Sequence, residues 1–134
     1  EKAQRKKVEL HVFSDESDHS VQEVKNSLKF KLDLEGQQPP YTFVDCYQMN
    51  NCSVLSNGRL YLCPTSACIG HFNRYFHQNF VVDERDFLDI YAAQSFHELS
   101  NFVSRPVPFC RFCDVAHREF HPWRQTKKSI DEYL

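Results

Sequence analysis

Glycine is scarce: three in 134 residues. That excludes a flexible linker or a low-complexity chain. No apolar run reaches the roughly 18 residues of a membrane-spanning helix, so a membrane partner is not expected. The first residues, EKAQRKK, carry positive charge with no apolar stretch behind them. No secretory signal is therefore expected, and a cytoplasmic location is. A surplus of basic charge is also missing, with 16 Lys+Arg against 18 Asp+Glu. Without a basic field the chain is not expected to bind nucleic acid. The sequence opens on Glu1 rather than Met, which fits a fragment or a processed product.

Cysteines and aromatics are plentiful. Twelve Phe and six Tyr provide bulky core material for a chain that is 41% hydrophobic. Six cysteines in so short a chain mean either a disulfide scaffold or metal and thiol chemistry. The spacings decide between them.

The pattern divides near residue 44. Lys7–Phe13 alternates polar and apolar residues, as a strand does. Ser20 and Glu23 form a capping box, and Val21, Val24, Leu28 and Leu32 follow on one helical face. Gly36 and Pro39-Pro40 read as the stop, and Tyr41-Thr42-Phe43-Val44 as a second strand. Residues 7–44 therefore predict a β-α-β unit. Beyond it, Asn57-Gly58 predicts a hairpin turn between Ser53-Val54-Leu55 and Arg59-Leu60-Tyr61-Leu62. A helix is predicted from about Gln94 to Val103, with Phe96, Leu99, Phe102 and Val103 on one face. Ser129–Leu134 predicts a last helical turn. Phe72, Tyr75, Phe76, Phe80 and Trp123 are expected in the core.

Cys110 and Cys113 are a Cys-x-x-Cys pair, a spacing that lets two sulfurs reach one metal or cluster. A redox dithiol would sit at a helix start in a βαβ setting. This pair follows the Pro-rich Arg105-Pro106-Val107-Pro108 instead. Cys46 ends one predicted strand and Cys63 ends a hairpin arm. Two sulfurs from there and two from the knuckle make a four-thiolate site. Cys52 is the alternative to Cys46, and Cys68, within Ala67-Cys68-Ile69, is expected to be packing. His117 and His121 stand too close behind Cys113 to supply the ~12-residue gap of a zinc finger. His71, His77 and His97 are expected to be ordinary surface or packing residues. Arg74 and Arg111 lie near the candidate ligands.

Cys46, eleven residues, Gly58, four residues, Cys63, then Cys110-x-x-Cys113 resembles the auxiliary-cluster motif of radical SAM enzymes. It is similar to the shorter "twitch" form of the SPASM domain, because no further cysteine follows Cys113. The segments Asn57–Pro64 and Pro108–Cys113 carry the same likeness. The resemblance covers roughly residues 46–123. It implies that 1–44 is the last β-α-β of a partial (β/α) barrel. Residues 45–134 would then be a small α+β auxiliary domain, with a hairpin and a helix around a cluster. It implies a [4Fe-4S] cluster on Cys46, Cys63, Cys110 and Cys113, used for electron transfer or support. The implied partner is an upstream radical SAM core, with a sugar, aminocyclitol or peptide substrate. The S-adenosylmethionine-cleaving Cys-x-x-x-Cys-x-x-Cys is absent from these residues, so the chain is not expected to run radical chemistry alone. The other expectation, from the thiolates themselves, is a structural four-cysteine zinc (Zn2+) module that mediates interactions. A zinc ribbon places two tight Cys-x-x-Cys pairs ~15–20 residues apart, and here 46 residues separate Cys63 from the only tight pair.

Overall fold

The structure is a computed structural model that describes residues 29–49, 52–119 and 125–134. The chain divides into two compact units, residues 1–29 with 119–125 and residues 30–118 with 126–134. The described residues fall almost wholly in the second unit, a small mixed α/β fold with two antiparallel sheets and three helices.

The predicted strand 7–13 and the start of the predicted helix at Ser20 lie outside the described residues. The rest of that β-α-β reading is corrected. Leu32, expected on a helical face, belongs to strand β1, Lys29–Leu32. β1 pairs with β5, Cys113–Glu119, in the two-stranded sheet. Tyr41–Val44, expected as a strand, lies inside helix α1, Pro39–Asp45. The physical reason is twofold. Prolines in a first helical turn lose no hydrogen bond, because those N–H groups have no partner within the helix. Thr42 and Phe43, adjacent in sequence, are both buried while Tyr41 and Val44 are exposed. A strand would send Thr42 and Phe43 to opposite faces, but a helix can bury both.

The hairpin forms as Asn57-Gly58 predicts. β2, Val54–Ser56, pairs antiparallel with β3, Arg59–Tyr61, placing Val54 opposite Tyr61 and Ser56 opposite Arg59. Asn57 has φ 50° and Gly58 φ 74°, the two left-handed residues that a type I′ turn requires. β4, Phe87–Asp89, joins on the far side of β3. Arg59 lies 4.3 Å over the Phe87 ring.

Helix α2, Pro64–Phe76, has no counterpart among the elements expected from the sequence. It again starts with a proline in its first turn. Ser66 and Ile69 are buried on its inner side, with Phe72 packed against the core. Past its left-handed cap His77, the Asn73 side chain donates to Phe80 O at 2.8 Å and accepts Phe80 N–H at 3.1 Å. That pair turns the chain back under the helix. Helix α3, Phe96–Val103, is capped by Ser95, whose hydroxyl accepts the Glu98 N–H at 3.2 Å. The chain ends in a single 3₁₀ turn, Ile130–Glu132.

The core gathers Phe43, Leu62, Ile69, Phe80, Phe102 and Phe109, with Cys113 among them. Tyr75 departs from its expected core role and is 61% exposed. Trp123 lies outside the described residues. No helix among the described residues is long and apolar enough to cross a membrane.

Candidate metal centre

Three of the four cysteines are delivered by the ends of elements and the fourth, Cys110, by a 3₁₀ turn. Cys46 is the C-cap of α1, where its N–H donates to Phe43 O. It lies one turn beyond Thr42 and Phe43, so the face that buries those residues also turns Cys46 inward. Cys63 follows β3 and is the N-cap of α2. Cys110 sits within a 3₁₀ turn, Pro108–Phe112, and Cys113 is the first residue of β5.

All four border one cavity of about 20 Å³, whose other walls include Phe30, Phe43, Leu62 and Val107. Cys52 and Cys68 are not on its walls. Cys52 is half-buried, and its N–H donates to Gln48 O at 3.0 Å. Cys68 was expected to pack in an apolar stretch, and the structure corrects this. It is exposed on the outer face of α2. An apolar triplet on an amphipathic helix cannot bury all its members, and Ile69 is the one that faces in.

The knuckle is held from both sides. Gln37 N–H donates to Arg111 O, and Asp33 N–H donates to Phe112 O at 2.8 Å. These are the two residues between Cys110 and Cys113. On the other flank the Asp86 carboxylate accepts Phe109 N–H at 2.6 Å. The Thr42 hydroxyl donates to Cys113 O at 3.5 Å. Asp86, Thr42 and Ser66 are buried polar residues that the reading of the sequence passes over. The signal available for Ser66 was its place three residues after Cys63, on the first turn of a helix. Asp86 and Thr42 act across 23 and 71 residues of sequence and left no local signal.

Burial governs the sulfurs. It pushes the Cys110 thiol up to about 11, and Val107 and the neighbouring cysteines modify this less. Cys113, the most buried of the four, is pushed further up, with Cys63, Cys110 and Cys46 adding like-charge repulsion. Cys46 is also raised by burial, and the backbone of Gln48 and Met49 hydrogen-bonds to it and pulls the other way. Like-charge repulsion among these cysteines makes the shared cavity unfavourable for several thiolates at once. Four thiolates can share it only beside a cation or a cluster. Among the described residues, no three His, Cys, Asp or Glu side chains stand in an arrangement that could hold a metal ion as it is.

The remaining candidates lie elsewhere. His117 Nδ1 contacts the Asp114 carboxylate at 2.9 Å on the surface, and His121 is outside the described residues. Arg74 bonds His71 Nδ1 at 2.7 Å. Arg111 lies 5.2 Å over the Phe112 ring. Among the described residues, none of the side chains of His71, Arg74, Arg111 and His117 borders the cavity. Of the surface and packing roles open to them, His77 and His97 take the surface one, both being exposed.

No family model, curated protein or solved structure matches the chain.

Proposed function

We propose that Cys46, Cys63, Cys110 and Cys113 hold a metal centre, and that the centre is an auxiliary [4Fe-4S] cluster of a radical SAM-like enzyme. The observation that carries the metal reading is the common cavity: four cysteines, three at the ends of elements and Cys110 inside a 3₁₀ turn, border it, and the other two cysteines do not. The donor set fits, because thiolates are the ligands that such clusters take. The cluster itself rests on the spacing of the four cysteines around Gly58 and the Cys110-x-x-Cys113 knuckle. When bound, such a cluster supplies one-electron transfer or braces the fold. With four protein ligands it leaves no iron open to bind a substrate. The partner in this reading is an upstream radical SAM core in the cytoplasm, acting on a sugar, an aminocyclitol or a peptide. Neither nucleic acid nor a membrane takes part.

A second reading, a structural zinc module, is favoured by one observation. The cavity of about 20 Å³ is the size of one water-sized body, and a single ion at ~2.3 Å from four thiolates needs little more. A cluster requires the walls to move apart.

Anaerobic loading with iron and sulfide, followed by an absorbance spectrum and iron, sulfide and zinc analysis, separates the two. A brown chain with about four irons and four sulfides supports the cluster. A colourless chain with one zinc, unchanged by that loading, supports the zinc module and overturns the cluster.

A further inference from the structure

Ser66 is 2% exposed, so its hydroxyl proton must find a partner inside the protein. Two acceptors lie in reach, both on Cys63. Its carbonyl oxygen is at 3.1 Å and its Sγ at 3.5 Å from Ser66 Oγ. The carbonyl has a second donor, because Ala67 N–H also reaches it, at 3.3 Å. It therefore does not depend on the hydroxyl. The sulfur is differently placed. Although Cys63 is the N-cap of α2, its side chain accepts no cap hydrogen bond from the first turn.

The protonation of the sulfur sets the direction of the bond. A Cys63 thiol can donate its own proton to Ser66 Oγ while the hydroxyl donates to the carbonyl. A metal-bound thiolate has no proton to give. The 3.5 Å contact is then favourable only if the hydroxyl rotates and donates to sulfur. A hydroxyl rotor does this without moving a heavy atom.

We propose that Ser66 is a positioning residue of the metal centre, donating its hydroxyl proton to Cys63 Sγ when that sulfur is a metal ligand. The proposal rests on the metal-centre reading above. A donor to a ligand sulfur draws electron density from it. It stabilises the more negative, reduced state and raises the potential of a cluster.

The test loads wild type, Ser66→Ala and Ser66→Thr anaerobically with iron and sulfide and measures metal content and midpoint potential. Ser66→Ala is expected to load like wild type and Ser66→Thr to restore the potential. The alanine variant should disfavour the reduced form about three- to tenfold, a negative shift of about 30–60 mV for one electron. Equal loading with an unchanged potential overturns the proposal and leaves the metal centre standing, because a hydroxyl bonded only to the carbonyl would not move the potential. If wild type takes zinc instead, cobalt is the probe. The thiolate-to-cobalt band of Ser66→Ala should then move to lower energy, and an unmoved band overturns the proposal. A wild-type chain that binds none of iron, zinc or cobalt overturns the metal-centre reading, and the role of Ser66 falls with it.

Discussion

The Asp86 carboxylate, 1% exposed, accepts the Phe109 backbone N–H at 2.6 Å. Its other oxygen accepts Asp83 N–H at 2.8 Å. One buried side chain therefore ties the turn before β4 to the residue that precedes Cys110. Burial raises its pKa, and the two amides oppose that rise. Asp86→Ala leaves both amides without their acceptor and is expected to cost about 2–4 kcal/mol. Asp86→Asn keeps one carbonyl acceptor and is expected to cost about half as much. Urea unfolding of the three proteins measures both, and an alanine variant as stable as wild type would show that the tie is dispensable.

Thiol reactivity in the metal-free chain follows burial. Cys110 is held up to about 11 against an ordinary 9.0. Its folded-state pKa lies above the unfolded one, so the folded chain keeps this proton more tightly. The associated stability is full below about pH 9 and is lost as pH rises through 11. At pH 8, iodoacetamide is expected to modify exposed Cys68 first, and Cys110 and Cys113 last. Peptide mapping over a time course reads the order. Early labelling of Cys113 would contradict its burial.

The hairpin depends on its turn. Gly58 has φ 74°, and a Cβ there would run into the Tyr91 ring. Gly58→Ala is expected to cost about 1–3 kcal/mol, from the left-handed backbone and the contact together. A thermal melt checks this. A variant with an unchanged midpoint would mean that Tyr91 and the turn move aside at no cost.

What the sequence reveals of this fold is set by how local each signal is. Asn57-Gly58 specifies its turn by backbone conformation alone, and the run of Phe96, Leu99, Phe102 and Val103 at helical spacing marks α3. Both are legible. Pro39-Pro40 and Pro64 were not, because a proline reads as a stop unless the burial of the next few residues is known. In α1 that burial is the adjacent pair Thr42 and Phe43. Tyr41–Val44 is rich in strand formers, and tertiary burial overrides that propensity. At the site, spacing singled out Cys46, Cys63, Cys110 and Cys113. The structure sets these around one cavity and Cys68 on the surface. The braces Asp86 and Thr42 are visible only once the chain is folded.

The central claim is that four named sulfurs hold the metal. Its most direct test is metal content per chain, after anaerobic loading, in wild type and in six single Cys→Ala variants. Loss of metal is predicted for Cys46, Cys63, Cys110 and Cys113, with full retention for Cys52→Ala and Cys68→Ala and a change of less than ~0.5 kcal/mol in stability for Cys68→Ala. Full metal in Cys46→Ala with loss in Cys52→Ala would exchange those two ligands. Full metal in Cys63→Ala and Cys110→Ala would contradict the four-sulfur centre.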